Sequence, residues 1–236
     1  MPHTELLGKT TSGYVKYYEE KGRHRNDIVA NPGVLFQRLA KEKAELRALR
    51  RAGLKQDWKV LDVGCGTGGS LAELLNYNLQ PENLFGIDLM PERIATAKLK
   101  YPNLNFQCCD ASKAPLETGA FDLLIQSTMF LQLPNETLAQ GIASEMVRMT
   151  KPGGHILNTD WRYDFWRPGY TAMSLKRLKR LFKVGTETEI VCRENGPLLP
   201  PLGRFLSAHA APLYFATQAL LPFFAGQVTT LLRKKS

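Results

Sequence analysis

The chain has 236 residues, 44% hydrophobic and 22% charged, a composition that predicts a proper core and excludes a disordered polymer. It contains no run of 18 apolar residues, which excludes a simple membrane span, and Met1-Pro-His-Thr-Glu5 opens no apolar stretch of the secretory type. The net charge of +9 is uneven: residues 1–57 carry 12 Lys/Arg against 7 Asp/Glu, residues 58–164 carry 8 against 12, and residues 165–236 carry 11 against 3. Basic ends around an acidic centre favour an anionic partner such as a phosphate, a membrane surface or RNA, or they are solvated charges kept for solubility.

In chain order, residues 1–30 are polar and aromatic, with Tyr14, Tyr17 and Tyr18 followed by Lys21-Gly-Arg-His-Arg25, and read as an N-terminal arm or lid. Asn31-Pro32 reads as an N-cap followed by proline at the first helical position. Leu35, Leu39, Leu46 and Leu49 predict a helix over 33–52, which Gly53 ends. The chain then alternates. Strands are expected at 58–63, 84–87, 104–108, 121–126 and 154–158, and helices at 68–76, 91–100 and 134–149. Leu138, Ile142, Met146 and Met149 form one apolar stripe on the last of these helices. Such alternation implies a parallel sheet covered by helices on both faces. Beyond residue 160, residues 170–183 predict a basic amphipathic helix, with strands at 186–193 and 227–232. Between those two strands lies Asn195–Gly226, which has no lysine, no acidic residue and one arginine, Arg204. We read 1–236 as a single domain: an N-terminal arm and helix (1–57), a cofactor-binding core (58–160), and a C-terminal half (161–236) carrying the apolar insertion 195–226.

The four cysteines, Cys65, Cys108, Cys109 and Cys192, have no zinc-ligand spacing, so reduced thiols in a cytoplasmic protein and no metal site are expected. The stretch Val60-Leu-Asp-Val-Gly-Cys-Gly-Thr-Gly-Gly69 reads as strand, tight turn, helix. Glycines at 64, 66 and 68 let the backbone turn sharply and approach a ligand, and the following helix presents free N–H groups to it. Gly64, Gly66 and Gly69 also satisfy the dinucleotide pattern, so NAD or FAD is a competing ligand. Asp62 lies two residues before Gly64, where a pyrophosphate would be repelled and a cationic ligand tolerated. Asp88 ends the next strand, where an acid accepts from ribose hydroxyls in either kind of cofactor. Asp110 ends the strand after that and can accept from an adenine amine.

Together with Gly86-Ile-Asp-Leu89, Cys109-Asp-Ala111, Phe121-Asp-Leu-Leu-Ile125 and Lys151-Pro-Gly-Gly154, this stretch resembles the class I S-adenosylmethionine-dependent methyltransferases, in particular their small-molecule branch. The resemblance covers roughly residues 55–160. It implies a Rossmann-like, seven-stranded, mostly parallel sheet with an antiparallel last strand, and S-adenosyl-L-methionine as cofactor. It implies that Asp62, Gly64, Cys65, Gly66 and Gly68 border the methionine part. It further implies that Asp88 binds the ribose, that Leu89 and Met90 flank the adenine, that Asp110 and Ala111 read its edge, and that Gln126 lies near the methyl group. The same residues have bland roles: Asp62 or Asp110 capping a turn, Asp88 capping the helix at Pro91, Cys65 filling the core, and Lys151–Gly154 forming the turn before the fifth strand.

For the acceptor, Asp160 is the candidate base, because it follows the fifth strand at the functional edge of an open α/β sheet. Tyr18, Arg25, Arg162 and Tyr163 are candidate substrate contacts. His155 falls within a strand and reads as structural, while His209 sits in the apolar insertion. Gln126-Ser-Thr-Met-Phe130 lacks the Asn/Asp-Pro-Pro-aromatic pattern of amino-group methyltransferases of nucleic acids. That argues against amino-group transfer but not against ribose or protein targets; with no recognisable RNA-binding module, a small or lipid-linked acceptor methylated on oxygen is expected, and nucleic acid is not. The insertion beside the basic helix Leu175-Lys-Arg-Leu-Lys-Arg-Leu-Phe-Lys183 suggests peripheral contact with a membrane. That tail is similar to methyltransferases associated with bacterial surface glycans. An RNA or protein methyltransferase and an NAD-dependent oxidoreductase are the alternatives.

Overall fold

The computed structural model describes residues 27–133, 135–164 and 169–236. Asn31 accepts from the Gly33 N–H at 3.0 Å and opens a 3-10 turn, Pro32–Val34, that runs into α1 (Leu35–Ala52). Gly53, at φ +71°, stops α1 in the left-handed conformation that favours glycine. The leucine spacing found this helix but not its buried face. Ala40, Ala44, Ala48 and Leu49 face inward, whereas Leu35 and Leu39 are exposed. Small side chains at the contact let α1 approach its neighbours closely, and that favours the alanine stripe.

The alternation that follows comprises β1 (Val60–Val63), α2 (Gly69–Leu75), β2 (Leu84–Asp88), α3 (Pro91–Lys100), β3 (Asn105–Cys108), β4 (Phe121–Ser127), α4 (Glu136–Met149) and β5 (Thr150–Trp161). It continues with α5 (Leu175–Leu181), β6 (Thr188–Asn195), α6 (Pro200–His209), α7 (Ala211–Leu220) and β7 (Gln227–Lys234). The sheet order is β3-β2-β1-β4-β5-β7-β6. Strands β1 to β5 pair in parallel, and β7 runs antiparallel to both β5 and β6. The seven-stranded, mostly parallel sheet with an antiparallel last strand is therefore as expected. Strand order reverses between β1 and β4, which creates a crevice at the carboxyl ends of those strands.

Leu61, Val63, Leu124 and Ile156 point to one face and pack with α4 and α5. Val60, Leu123, Ile125 and Leu157 point to the other face and pack with α1, α2 and α3. A third cluster joins Ala40 of α1 to Leu206 and Tyr214 of the insertion.

Three expectations need correction. First, β5 starts at Thr150, so Lys151-Pro-Gly-Gly154 lies inside the strand rather than in a turn before it. Phe121 pairs with Thr150 but Leu123 pairs with His155, so the extra residues bulge, with Gly153 at φ +75°. Pro152 biases Lys151 toward extended backbone, which favours strand over turn. Second, the helix expected over 170–183 spans only Leu175–Leu181, because Ser174 caps it by accepting from the Arg177 N–H at 3.1 Å. Third, α5 packs on α4 whereas α6 and α7 pack on α1, so the basic helix and the apolar insertion lie over opposite faces of the sheet. Asp88, Gln126, Asp160 and the insertion nevertheless share one edge, the carboxyl ends of the parallel strands.

Candidate functional site

The turn after β1 is built by positive-φ glycines: Gly64 at +76°, Gly66 at +57° and Gly68 at +84°. The N–H groups of Gly64 and Cys65 both donate to the Ile87 carbonyl, at 2.8 and 2.9 Å, and pin the turn to β2. A Cβ at Gly64 would lie 3.0 Å from Met129 Sδ, and one at Gly68 would lie 2.7 Å from Phe106 Cζ. The turn thus needs glycine for conformation and for space. Cys65 is buried against Gly86, where a Cβ would meet its Sγ at 2.8 Å, and burial pushes its thiol pKa up. It fills the core as an inert thiol.

Asp88 is 6% exposed and has several partners. Its Oδ2 accepts from the Gly66 N–H at 2.9 Å and its Oδ1 accepts from the Met90 N–H at 2.9 Å. Arg93, from the first turn of α3, approaches Oδ2 to 3.4 Å and covers Gly66. Asp88 therefore ties the glycine turn to the start of α3. Leu89 and Met90 follow it along the crevice. Asp110 caps the 3-10 turn Ala111–Lys113, its Oδ1 accepting from the Ser112 N–H and hydroxyl, each at 2.8 Å.

Behind the turn, a cavity of about 30 Å³ is lined by Glu45 of α1, Asp62 of β1, Glu73 and Tyr77 beside α2, and Gln126 of β4. Burial pushes the Asp62 carboxyl up to about 7; Lys41 opposes this, Asp88 and Glu45 add to it, and Arg93 again opposes it. Glu45 accepts from Lys41 Nζ at 2.9 Å and from the Thr159 hydroxyl at 2.9 Å. Burial alone would lower the Lys41 pKa, but Glu45, Glu73 and Asp62 outweigh it and leave it raised. Glu73 also pairs with Arg38 at 3.1 Å, so three carboxylates stand against Lys41 and Arg38, and the one in excess suits the cationic end of a ligand. Sequence reasoning missed Lys41, Glu45, Glu73 and Tyr77. The one available signal was the Lys41–Glu45 pair interleaved with the alanines of α1's inner face.

At the end of β4, Gln126 donates to Asn158 Oδ1 at 2.7 Å and accepts from the Met129 N–H at 3.1 Å, which sets the loop over Gly64. Thr128 in that loop has φ +62°, a conformation strained for a β-branched residue. Asp160 is buried at 1% exposure; its Oδ1 accepts from the Trp161 N–H at 2.8 Å and its Oδ2 from the Leu131 N–H at 3.3 Å. Burial pushes its carboxyl up to about 7, against the Trp161 amide, Arg177, the Leu131 amide and Gln126. Through one amide on each oxygen, Asp160 holds the loop 128–133 onto β5.

Arg177 is likewise buried, not part of a basic surface. It donates to Glu136 and to the carbonyls of Phe130, Thr171 and Leu133, at 2.7–3.0 Å. Arg162 donates to Asn195 Oδ1 at 3.2 Å, and the Tyr163 hydroxyl donates to the Phe223 carbonyl at 3.0 Å, so both tie β5 to the insertion. Tyr18 and Arg25 lie outside the described residues. His155 stacks on Trp58 at 5.6 Å, at the opposite edge of the sheet from the crevice. Among the described residues, no group of three His, Cys, Asp or Glu converges to hold a metal.

Residues 60–154 match the methyltransferase domain family. A demethylmenaquinone methyltransferase of Beutenbergia cavernae is 32% identical over 116 residues, 49% of this chain and 46% of that protein. The chain thus spans about half the length of this curated relative. Geranyl diphosphate C-methyltransferase from Streptomyces coelicolor, solved with S-adenosyl-L-homocysteine, superposes with TM-score 0.60 at 15% identity, covering 84% of this chain and 81% of its own. The [4+2]-cyclase SpnF superposes with TM-score 0.59 at 20% identity, covering 84% and 81%. These two likenesses show the fold. With the ordered motifs and the family match, they identify residues 60–154 as a class I S-adenosylmethionine-dependent methyltransferase domain.

Proposed function

We propose that this chain transfers the methyl group of S-adenosylmethionine to a small or lipid-linked acceptor, on oxygen. The observation that carries the reading is the acidic cavity of Glu45, Asp62 and Glu73 behind the glycine turn. Its carboxylates attract a cationic ligand end and repel a pyrophosphate, so they weigh against NAD. In this reading the Gly64–Gly68 turn and Asp62 hold the methionine part, and Asp88 takes the ribose. Leu89 and Met90 flank the adenine, and Asp110 with Ala111 takes its edge.

When bound, the cofactor supplies an electrophilic methyl group. The chain's own residues then hold the acceptor in line and exclude water, so proximity and orientation carry much of the rate. Gln126 and Asp160 serve this by fixing the loop 128–133 through the Met129 and Leu131 amides. In this reading Arg162 and Tyr163, just beyond β5, contact the acceptor. The Gln126–Phe130 stretch lacks the pattern for nucleic-acid amino groups, which weighs against that mechanism, and the demethylmenaquinone and geranyl diphosphate enzymes named above support an apolar acceptor.

The test supplies methyl-labelled cofactor to the purified chain with aqueous metabolites, membrane extract and RNA in separate reactions. Label in an organic-extractable, alkali-stable product is expected. Label in RNA alone refutes the acceptor class. Stabilisation by NAD and not by S-adenosylmethionine refutes the cofactor assignment.

A further inference from the structure

The insertion between β6 and β7 leaves an apolar face uncovered by the described residues. On α7, Leu213, Ala216 and Leu220 are three and four residues apart and all exposed, Leu220 by 79%. Leu221 and Phe223 continue this face beyond the helix, and Phe205 of α6 is 60% exposed. A cluster of exposed large apolar side chains is the kind of surface that marks an interaction site.

The surroundings are basic. Lys43 lies 4.6 Å over the Phe215 ring, Arg204 belongs to α6 itself, and Arg162 donates to the Pro222 carbonyl with Arg193 beside it. The insertion contains no acidic residue. Each of its two helices has ten residues, about 15 Å of length, so neither can cross a bilayer, and both can lie in its interface.

We propose that α6, α7 and the Pro222–Phe224 turn dock the protein onto an anionic lipid bilayer, with the apolar side chains among the acyl chains and the arginines and lysine at the headgroups. Because the insertion leaves and re-enters the sheet at the carboxyl edge, docking turns the cofactor crevice toward the membrane. An apolar acceptor then reaches the crevice without crossing water. Arg162 and Tyr163, which follow β5 in the chain and bond to this insertion, couple the two. The docking itself does not depend on the reaction proposed above.

The experiment is co-sedimentation of the purified full chain with vesicles of phosphatidylcholine alone or with about one third phosphatidylglycerol. Tight binding to the anionic vesicles is expected, weakened by salt and on neutral vesicles. The exposed double variant Leu220→Glu/Phe223→Glu should lose about tenfold or more in partitioning while keeping its thermal transition and its S-adenosylhomocysteine affinity. Wild-type protein that stays in the supernatant with both vesicle types overturns the proposal, as does a variant that binds as tightly as wild type. A self-association abolished by the same variant, with no vesicle binding, assigns the face to a second copy and also overturns it. Vesicle binding is read without turnover, so its failure and that of methyl transfer are separable.

Discussion

Asp88→Asn separates the two tasks of the residue at the end of β2. In the structure, one carboxylate oxygen accepts from the Gly66 amide and the other from the Met90 amide. The asparagine side chain has the same shape but only one acceptor oxygen. Its amide nitrogen must face the second backbone N–H, donor against donor, in a site 6% exposed. Leaving one buried donor unmet costs about 1–3 kcal/mol. For a chain of this size that lowers Tm by roughly 2–12 °C. The ribose assignment adds a separate loss, because hydrogen bonds to a charged acceptor contribute about 1.5–3 kcal/mol, or roughly 10- to 150-fold in Kd. Differential scanning calorimetry reads the first loss and titration calorimetry with S-adenosylhomocysteine reads the second. An unchanged Kd beside a lowered Tm refutes the ribose contact and leaves Asp88 a structural tie. An unchanged Tm refutes the reasoning about the turn.

Arg177→Met should lower stability by about 3 kcal/mol or more, because the carbonyls of Phe130, Leu133 and Thr171 each lose a buried donor. Denaturant unfolding checks this, and a loss under about 1 kcal/mol would contradict it. Asp62 has a folded-state pKa near 7, above the ordinary carboxylate value of 3.8. Between those values the folded state holds more protons than the unfolded one, so this group lowers stability as pH rises from about 4 to 7. A cationic ligand needs the charged carboxylate, so cofactor affinity should rise with pH up to about 7, by up to about tenfold per unit. Calorimetry from pH 5.5 to 8 should show that slope in the wild type and lose it in Asp62→Asn; the same slope in both refutes the assignment.

The geometry of the glycine turn was legible because it is written in local chemistry. The turn declares itself by residue type, Asp62 by its place inside β1, Asp88 by ending β2 and Asp110 by following β3. The insertion announced itself by composition, since 32 residues without acid or lysine are not an ordinary surface loop. Asp160 was singled out for its position, whereas its burial and its two backbone amides appear only in the tertiary structure. Arg177 looked like part of a basic stripe, yet three carbonyls from two loops enclose it. Lys41 and Glu45 escaped notice because they read as an ordinary helical i,i+4 pair, and the alanines beside them were the one trace of a buried face.

By itself, the sequence determined the α/β alternation, the extent of α3 and the turn that gives residues 60–69 their chemistry. These follow from spacing and residue type within a few neighbours. Only the tertiary structure decided which face of α1 is buried, and hence that Glu45 joins Asp62 and Glu73 around one cavity. Only it placed the basic helix and the apolar insertion over opposite faces of the sheet. The physical reason is the same in each case. Contacts between residues distant in the chain depend on strand order and on which side each crossover takes, and neither leaves a periodic trace in the chain.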